Sequence, residues 1–404
     1  MSNGFSWQKA LIGQIREMLY HPDTGLVYDY VSSFDRDKRF AHLPSPEEVA
    51  GSFPNPCGWG TGMEDCALNT GLMLAWSAAA GEESGFGRSL AEGLIRCGNV
   101  HGKKGFIVRG ILPEDRKSCY PNSSRDQFTL AVYGMWSCLR SGKTDGALSD
   151  AGIRFLCDAA DCCEGMVNER NHYSLSRLDG GPAVVSGLWK CDPHEMLRLP
   201  MIYAAAWDVS GKKRYYDLFS KYIEEGLNRT LQASRDSSDW WDMPLLQMQC
   251  SLRFFEDCNA VPDLRPGFLR GMQLASEVAG EKLGGLLNRL ETESVSWDVP
   301  YDNWRYLPMR LRKETIAADG HTAMFGGLTY LNPEFRPDYA HPNCLIRSLG
   351  NYLAVLALDP ECAADWENLS VRVARLMEKI DFEHFSGAGT VPLLYGSSLL
   401  KKRV

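Results

Sequence analysis

The chain has 404 residues, 44% hydrophobic, 11% aromatic and 23% charged, a composition that can bury a large core and excludes a disordered polymer. The formal net charge is −8 with a pI near 5.6, and the basic residues are scattered rather than gathered into a stripe, which argues against nucleic acid as a partner. No apolar run approaches the roughly 20 residues needed to cross a bilayer, and the opening Met-Ser-Asn-Gly-Phe-Ser-Trp lacks a charged-then-apolar signal pattern. The expectation is therefore a cytoplasmic chain without a membrane partner.

Apolar residues recur at helical spacing over 5–20, 61–80, 85–99, 124–140, 145–163, 192–209, 211–230, 242–256, 264–281, 283–293, 344–358 and 361–379, whereas strand-like alternation is scarce. Small-residue turns at Ala80-Gly81-Glu82, Ser141-Gly142-Lys143, Ser210-Gly211-Lys212 and Ala279-Gly280-Glu281 join helices into hairpins. Between hairpins lie longer stretches rich in Gly, Pro and aromatics, near 47–60, 101–123, 172–191, 233–242, 294–310 and 318–343. Short turns alternating with long loops suit an annulus whose long loops line a pocket at one end. With no linker-like segment and no fixed repeat of a solenoid, the predicted fold is all-α, a single-domain (α/α)6 barrel of six helical hairpins over residues 1–404.

The thirteen cysteines are odd in number and none forms a C-x-x-C pair. Cys66, Cys97, Cys138 and Cys157 lie among apolar residues in predicted helices and read as reduced core thiols. The eight histidines are dispersed, so neither a metal nor another cofactor is expected.

Two segments carry the candidate chemistry. In Gly58-Trp-Gly-Thr-Gly-Met-Glu-Asp-Cys, Thr61 and Glu64 have capping-box spacing, which places Asp65 in the first turns of a helix after a glycine-rich loop. Met63 occupies the position where a dinucleotide fingerprint needs its third glycine. In the stretch from Arg109 to Thr129, Ser124 and Gln127 have the same spacing and place Asp126 in a first turn. Aspartate is favoured there simply because it complements the helix dipole. Two such starts, with Arg109, Arg116, Arg125 and Tyr120 nearby, point beyond that to a catalytic pair, Asp126 and Asp65. An acid role for Asp126 requires burial or a like charge, which Asp65 would supply.

Aromatic residues concentrate in the long loops: Tyr173, Trp189, Trp240, Trp241, Trp297, Tyr301, Trp304 and Tyr306. Flat rings beside polar rims suit the C–H faces of sugars. The candidate substrate contacts are Trp59, Glu64, Arg109, Tyr120, Asn122, Arg125, Gln127, Trp189, His194, Trp240, Trp241, Trp304 and His341. His194 and His341 also read as helix-capping groups. Ser141-Gly-Lys-Thr144 lacks the earlier glycine of a phosphate loop, having Ser137 instead, and no nucleophile elbow is present.

The hairpin order, together with Gly62-Met-Glu-Asp-Cys-Ala-Leu-Asn-Thr-Gly71 and Tyr120-Pro-Asn-Ser-Ser-Arg-Asp-Gln-Phe-Thr129, resembles the six-hairpin glycosidases, in particular unsaturated glucuronyl hydrolases and related gut-bacterial families. The resemblance covers most of the chain as architecture and is specific only in these two segments. It implies a glycoside hydrolase for small acidic oligosaccharides, with Asp126 as acid/base and Asp65 in support, that hydrates the C4–C5 double bond of an unsaturated uronic acid. The Ser-Ser-Arg-Asp-Gln context departs from the best-known glucuronyl hydrolases. An ordinary retaining or inverting glycosidase, a sugar epimerase or isomerase with histidines such as His194, His321 and His341 in its pocket, and a non-enzymatic glycan- or protein-binding scaffold remain as alternatives.

Overall fold

The computed structural model describes residues 7–31, 33–81, 84–235, 241–292 and 342–404. The helices are α1 (Trp7–Gln14), α2 (Pro46–Ala50), α3 (Cys66–Ala80), α4 (Ser84–Cys97), α5 (Arg125–Arg140), α6 (Gly146–Met166), α7 (Arg198–Ser210), α8 (Lys213–Leu231), α9 (Asp242–Cys258), α10 (Arg265–Thr292), α11 (Pro342–Leu358), α12 (Trp366–Met377) and α13 (Thr390–Leu400). Among the described residues, two small antiparallel hairpins accompany them, β1 (Tyr20–His21) with β2 (Leu26–Val27), and β3 (Ser174–Ser176) with β4 (Pro182–Gly187).

Burial separates the helices into two kinds. In α3 every residue from Cys66 to Ser77 is buried, in α9 every residue from Asp242 to Leu252, and in α13 every residue from Thr390 to Ser397. A helix buried all round belongs in the interior. By contrast, α8 buries one stripe, Tyr215, Phe219, Tyr222, Ile223, Gly226, Leu227 and Thr230, and α12 buries Leu369, Val373, Leu376 and Met377. These are one-sided helices laid against others.

The interior helices pack in series, α3 on α5, α5 on α7, α7 on α9, α9 on α11, α11 on α13, and α13 back on α3. Outside them α4 packs on α3, α6 on α5 and α7, α8 on α7, and α10 on α8, α9, α11 and α12. The first and last described helices, α1 and α13, meet, where Gln8 Nε2 donates to Ser397 Oγ (3.0 Å) and Thr390 Oγ1 donates to Gln14 Oε1 (3.1 Å).

Glycine sets how closely two of these pairs approach. A Cβ on Gly71 would run into the carbonyl of Leu130, and one on Gly134 into that of Gly71, so α3 and α5 cross with backbones touching. Gly350 and Gly396 do the same for α11 and α13.

The hairpin turns at Gly81, Gly142 and Gly211 all have left-handed φ. The expected turn at Ala279-Gly280-Glu281 does not form: α10 runs unbroken through it. A helical glycine costs about 1 kcal/mol relative to alanine, less than is gained by continuing the buried row of Leu274, Val278, Leu283, Leu287 and Leu290. Other expectations shift at their ends. The helix predicted from 61 begins at Cys66, the one predicted from 192 begins with a short 3-10 turn at Pro193–Glu195, and 15–19 is π-helical. Helix α13, unannounced by any polar face, and the β3–β4 hairpin were not expected.

Cys66, Cys97, Cys138 and Cys157 are free and buried, as predicted. Among the described residues no helix is long and apolar enough to cross a membrane.

Replacing Gly134 by Ala should force α3 and α5 apart and lower stability by about 3 kcal/mol, the upper end of overpacking costs. Urea unfolding of the variant against wild type measures it, and a change below about 0.5 kcal/mol would show that the crossing is soft.

Candidate functional site

The starts of successive interior helices are tied to one another by side chains. Asp65 is the N-cap of α3 but makes no capping hydrogen bond. Instead its Oδ1 accepts from Gln127 Nε2 (2.9 Å) and Arg109 Nη1 (3.3 Å). Gln127, fully buried in the first turn of α5, also donates to Glu64 O (3.2 Å) and accepts from Leu68 N (2.9 Å). Arg109 donates to Glu64 O (2.7 Å) and lies over the half-buried Trp59 ring. Asp65 is thus aimed by the next hairpin while its side chain stays 38% exposed.

The predicted Thr61–Glu64 capping box is absent. Thr61 Oγ1 donates to Gly58 O (2.6 Å), and the buried Glu64 carboxylate accepts from Gly60 N (2.6 Å) and Gly62 N (2.9 Å). Both glycines have left-handed φ, which curls the loop around that carboxylate. Glu64 is therefore a staple of the loop rather than the substrate contact expected, and Gln127, with both amide atoms engaged, is a brace between helices. The Ser124 cap is one-sided: Ser124 Oγ accepts from Gln127 N (3.4 Å), but the Gln127 side chain is used elsewhere.

Beneath the loop lies Asp29, which the sequence reading missed. Its carboxyl accepts from Glu64 N (2.6 Å), Asp65 N (2.9 Å) and Asn69 Nδ2 (2.9 Å). Its backbone carbonyl accepts from Ala388 N (2.8 Å), which joins the lead-in of α13 to the same point. Burial, then the charges of Glu64 and Asp65, pushes the Asp29 carboxyl well above the usual carboxylate range.

The second group centres on Asp126. Its Oδ1 accepts from Arg198 Nη1 (2.6 Å), the first residue of α7, and Arg198 Nη2 reaches Glu195 Oε1 (3.2 Å), which also pairs with Arg125 Nη2 (2.6 Å). The side chains of Arg198 and Glu195 are each 1% exposed, whereas those of Asp126 and Arg125 are 21% and 20% exposed. Burial pushes the Asp126 carboxyl up, but Arg198, Arg125 and Arg109 together outweigh it and hold the group below the usual range. The expectation that Asp65 would raise Asp126 is reversed: guanidinium groups dominate its surroundings, and the resting group is ionised at neutral pH. For Glu195 burial prevails over Arg198 and Arg125, and its carboxyl is pushed up.

A third helix start follows the same rule. Asp242, first in α9 and buried, accepts from Arg347 Nε (3.3 Å) and Asn351 Nδ2 (2.9 Å) of α11. Asp65, Asp126 and Asp242 each open an interior helix or its cap, and each is held by a basic group supplied by a later segment.

The other predicted contacts divide. Tyr120 is buried, its hydroxyl donating to Phe53 O. Asn122 is fully buried, and neither amide atom has a hydrogen-bond partner among the described residues. Trp189 is a core residue, edge-on to Tyr222 with ring centroids 4.7 Å apart. Arg116 is exposed and pairs with Asp23. Trp241 is 49% exposed at the start of α9. Trp240, Trp304 and His341, with Trp297, Tyr301, Tyr306 and His321, lie outside the described residues. His194 is buried, with Nε2 4.0 Å from Glu195 Oε1.

Asp192, His194 and Glu195 bring possible ligand atoms within 4.8 Å of one another. A cation there would sit beside Arg125 and Arg198, which already share Glu195 Oε1, so the charge set does not fit a metal.

A cavity of about 690 Å³ opens at the C-terminal ends of the interior helices, lined by Tyr133, Trp136, Arg253, Tyr395 and Arg403 among others. It contains neither Asp65 nor Asp126. The missed residues Arg198 and Glu195 did leave a trace, since Arg198 is the lone charge in an otherwise apolar Met196–Ala206 run. In comparison with known proteins, no protein-family model, curated protein or solved structure matches this chain.

Replacing Asp126 by Asn should cost about 1.5–3 kcal/mol at neutral pH, the range for a hydrogen bond to a charged group. Because the folded pKa is depressed, this contribution is full above the unfolded value of about 3.9 and fades as pH falls through the folded one. Urea unfolding across pH should therefore show the deficit of the variant shrinking below about pH 4; a constant deficit would contradict the ion-pair assignment.

Proposed function

We propose that this chain is a glycoside hydrolase built as an (α/α)6 barrel, acting on small acidic oligosaccharides by adding water across the C4–C5 double bond of a terminal unsaturated uronic acid. The closed order of interior helices, each with an outer helix against it and α1 beside α13, supports the barrel. The observation that carries the functional reading is that Asp65 and Asp126 stand at the starts of packed helices, Asp65 bonded to the Gln127 that follows Asp126, with both carboxyl groups partly open and, among the described residues, Arg109, Arg125 and Arg198 close by.

In this reading Arg125 receives the uronate. Asp126 delivers a proton to C4, and the positive charge that develops at C5 and the ring oxygen is met by water, whose proton returns to Asp126. The product is a hemiketal at C5. It opens to a ketone, leaving a hemiacetal at C1 that expels the neighbouring sugar. Asp65, held by Gln127 and Arg109, supports the developing positive charge. This chemistry differs from displacement at the anomeric carbon by two carboxylates. A cytoplasmic site of action accords with short substrates produced by a lyase.

The epimerase alternative finds little support in His194, which is sealed beside Glu195.

Incubation with unsaturated uronyl disaccharides from lyase digests should abolish their conjugated ultraviolet absorbance, and Asp126→Asn should slow that loss by at least about a hundredfold, the low end for general acid–base catalysis. Persistence of the absorbance with every disaccharide would contradict the reading.

A further inference from the structure

Among the described residues, the guanidinium groups of Arg109, Arg125 and Arg198 act on Asp126, yet they differ in access. Arg109 and Arg198 are buried, with side-chain exposures of 4% and 1%, whereas Arg125 is 20% exposed. Among these described arginines, Arg125 is therefore the one that an incoming anion can meet. Its ion-pair partner, Glu195 Oε1, is shared with Arg198, while Glu195 Oε2 is buried without a hydrogen-bond partner among the described residues. Charge is passed along one row, Asp126 to Arg198 to Glu195 to Arg125, drawn from α5, α7 and the Pro193–Glu195 turn.

We propose that an anionic group of the ligand, received at Arg125, loads Asp126 with a proton drawn from solvent, so that the site becomes an acid only when an acidic saccharide occupies it. This rests on the acidic-saccharide reading above. Two effects act in the same direction. A ligand anion that takes Arg125 leaves Glu195 to pair with Arg198 alone, which loosens the hold of Arg198 on Asp126. The ligand also brings a negative charge close to a carboxylate in a half-closed site, where Coulomb interactions are weakly screened.

Among the described residues, Arg109 is committed to Glu64 O and Asp65, Asp65 is bonded by Gln127, and His194 and Asp192 stand beside Glu195. The balance of the step is one proton gained by an Asp126 carboxylate oxygen and one lost by buffer, with no bond broken in the ligand. It also accounts for an acid catalyst that the resting protein keeps ionised. Glu195 is a positioning residue for this exchange.

The probe is D-glucuronate, which has no double bond to hydrate, with its methyl ester as the uncharged control. Titration calorimetry in pairs of buffers with different ionisation heats, from about pH 4 to 7, reads protons taken up per ligand bound. Wild type should take up a proton with glucuronate over the window between the resting and loaded pKa values, the ester should bind weakly without uptake, and Asp126→Asn should bind glucuronate without uptake. Glucuronate binding with no uptake at any pH, or uptake that persists in Asp126→Asn, would overturn the loading of Asp126 while leaving the acidic-saccharide reading intact. Failure of wild type to bind glucuronate, or equal binding of the ester, would overturn both.

Discussion

The buried guanidinium of Arg198 is the constraint around which the site is built. It stands at the first residue of an interior helix, where the helix dipole disfavours positive charge, and its side chain is almost wholly removed from water. Such a charge survives only with anionic partners in fixed places, and Asp126 and Glu195 provide them from two other segments. Satisfying one buried cation thus fixes the relative positions of α5, α7 and the turn between the loop and α7. The site geometry is a consequence of that electrostatic debt.

The same logic extends around the helix starts. Asp65 is aimed by Gln127 and Arg109, Asp242 by Arg347 and Asn351, and Asp29 gathers the Glu64 loop and the lead-in of α13. Backbone contact at Gly71 and Gly134, and at Gly350 and Gly396, holds neighbouring interior helices close enough for short side chains to span them. Packing and polar pairing therefore act on the same helices, one along their length and the other at their starts.

Much of this was legible in the sequence, for identifiable reasons. Amphipathic outer helices announce themselves by period, and the turns at Gly81, Gly142 and Gly211 by their left-handed glycines. Where local pattern has two physical solutions, it misleads. Ser45 and Glu48 form a true capping box, whereas Thr61 and Glu64, at the same spacing, serve a glycine-rich loop instead. Helix α13 has no polar face to give it a period, and Gly280 sits in a helix whose buried leucine row overrides it. Trp189 was read as a loop aromatic, but its partner Tyr222 lies in α8, a contact between segments that spacing cannot reveal. The positions of the two aspartates at helix starts are legible because each follows a long loop. Arg198 and Glu195 are not legible as site residues because a pairing between helix starts is tertiary information.

In the proposed reaction the charge of the substrate acts on the chemistry at Asp126. The most direct measurement compares kcat/KM at neutral pH for an unsaturated uronyl disaccharide and for its uronate methyl ester. The free acid should be favoured by about tenfold to a hundredfold, the worth of a charged hydrogen bond in a sheltered site. Equal turnover of acid and ester would contradict it.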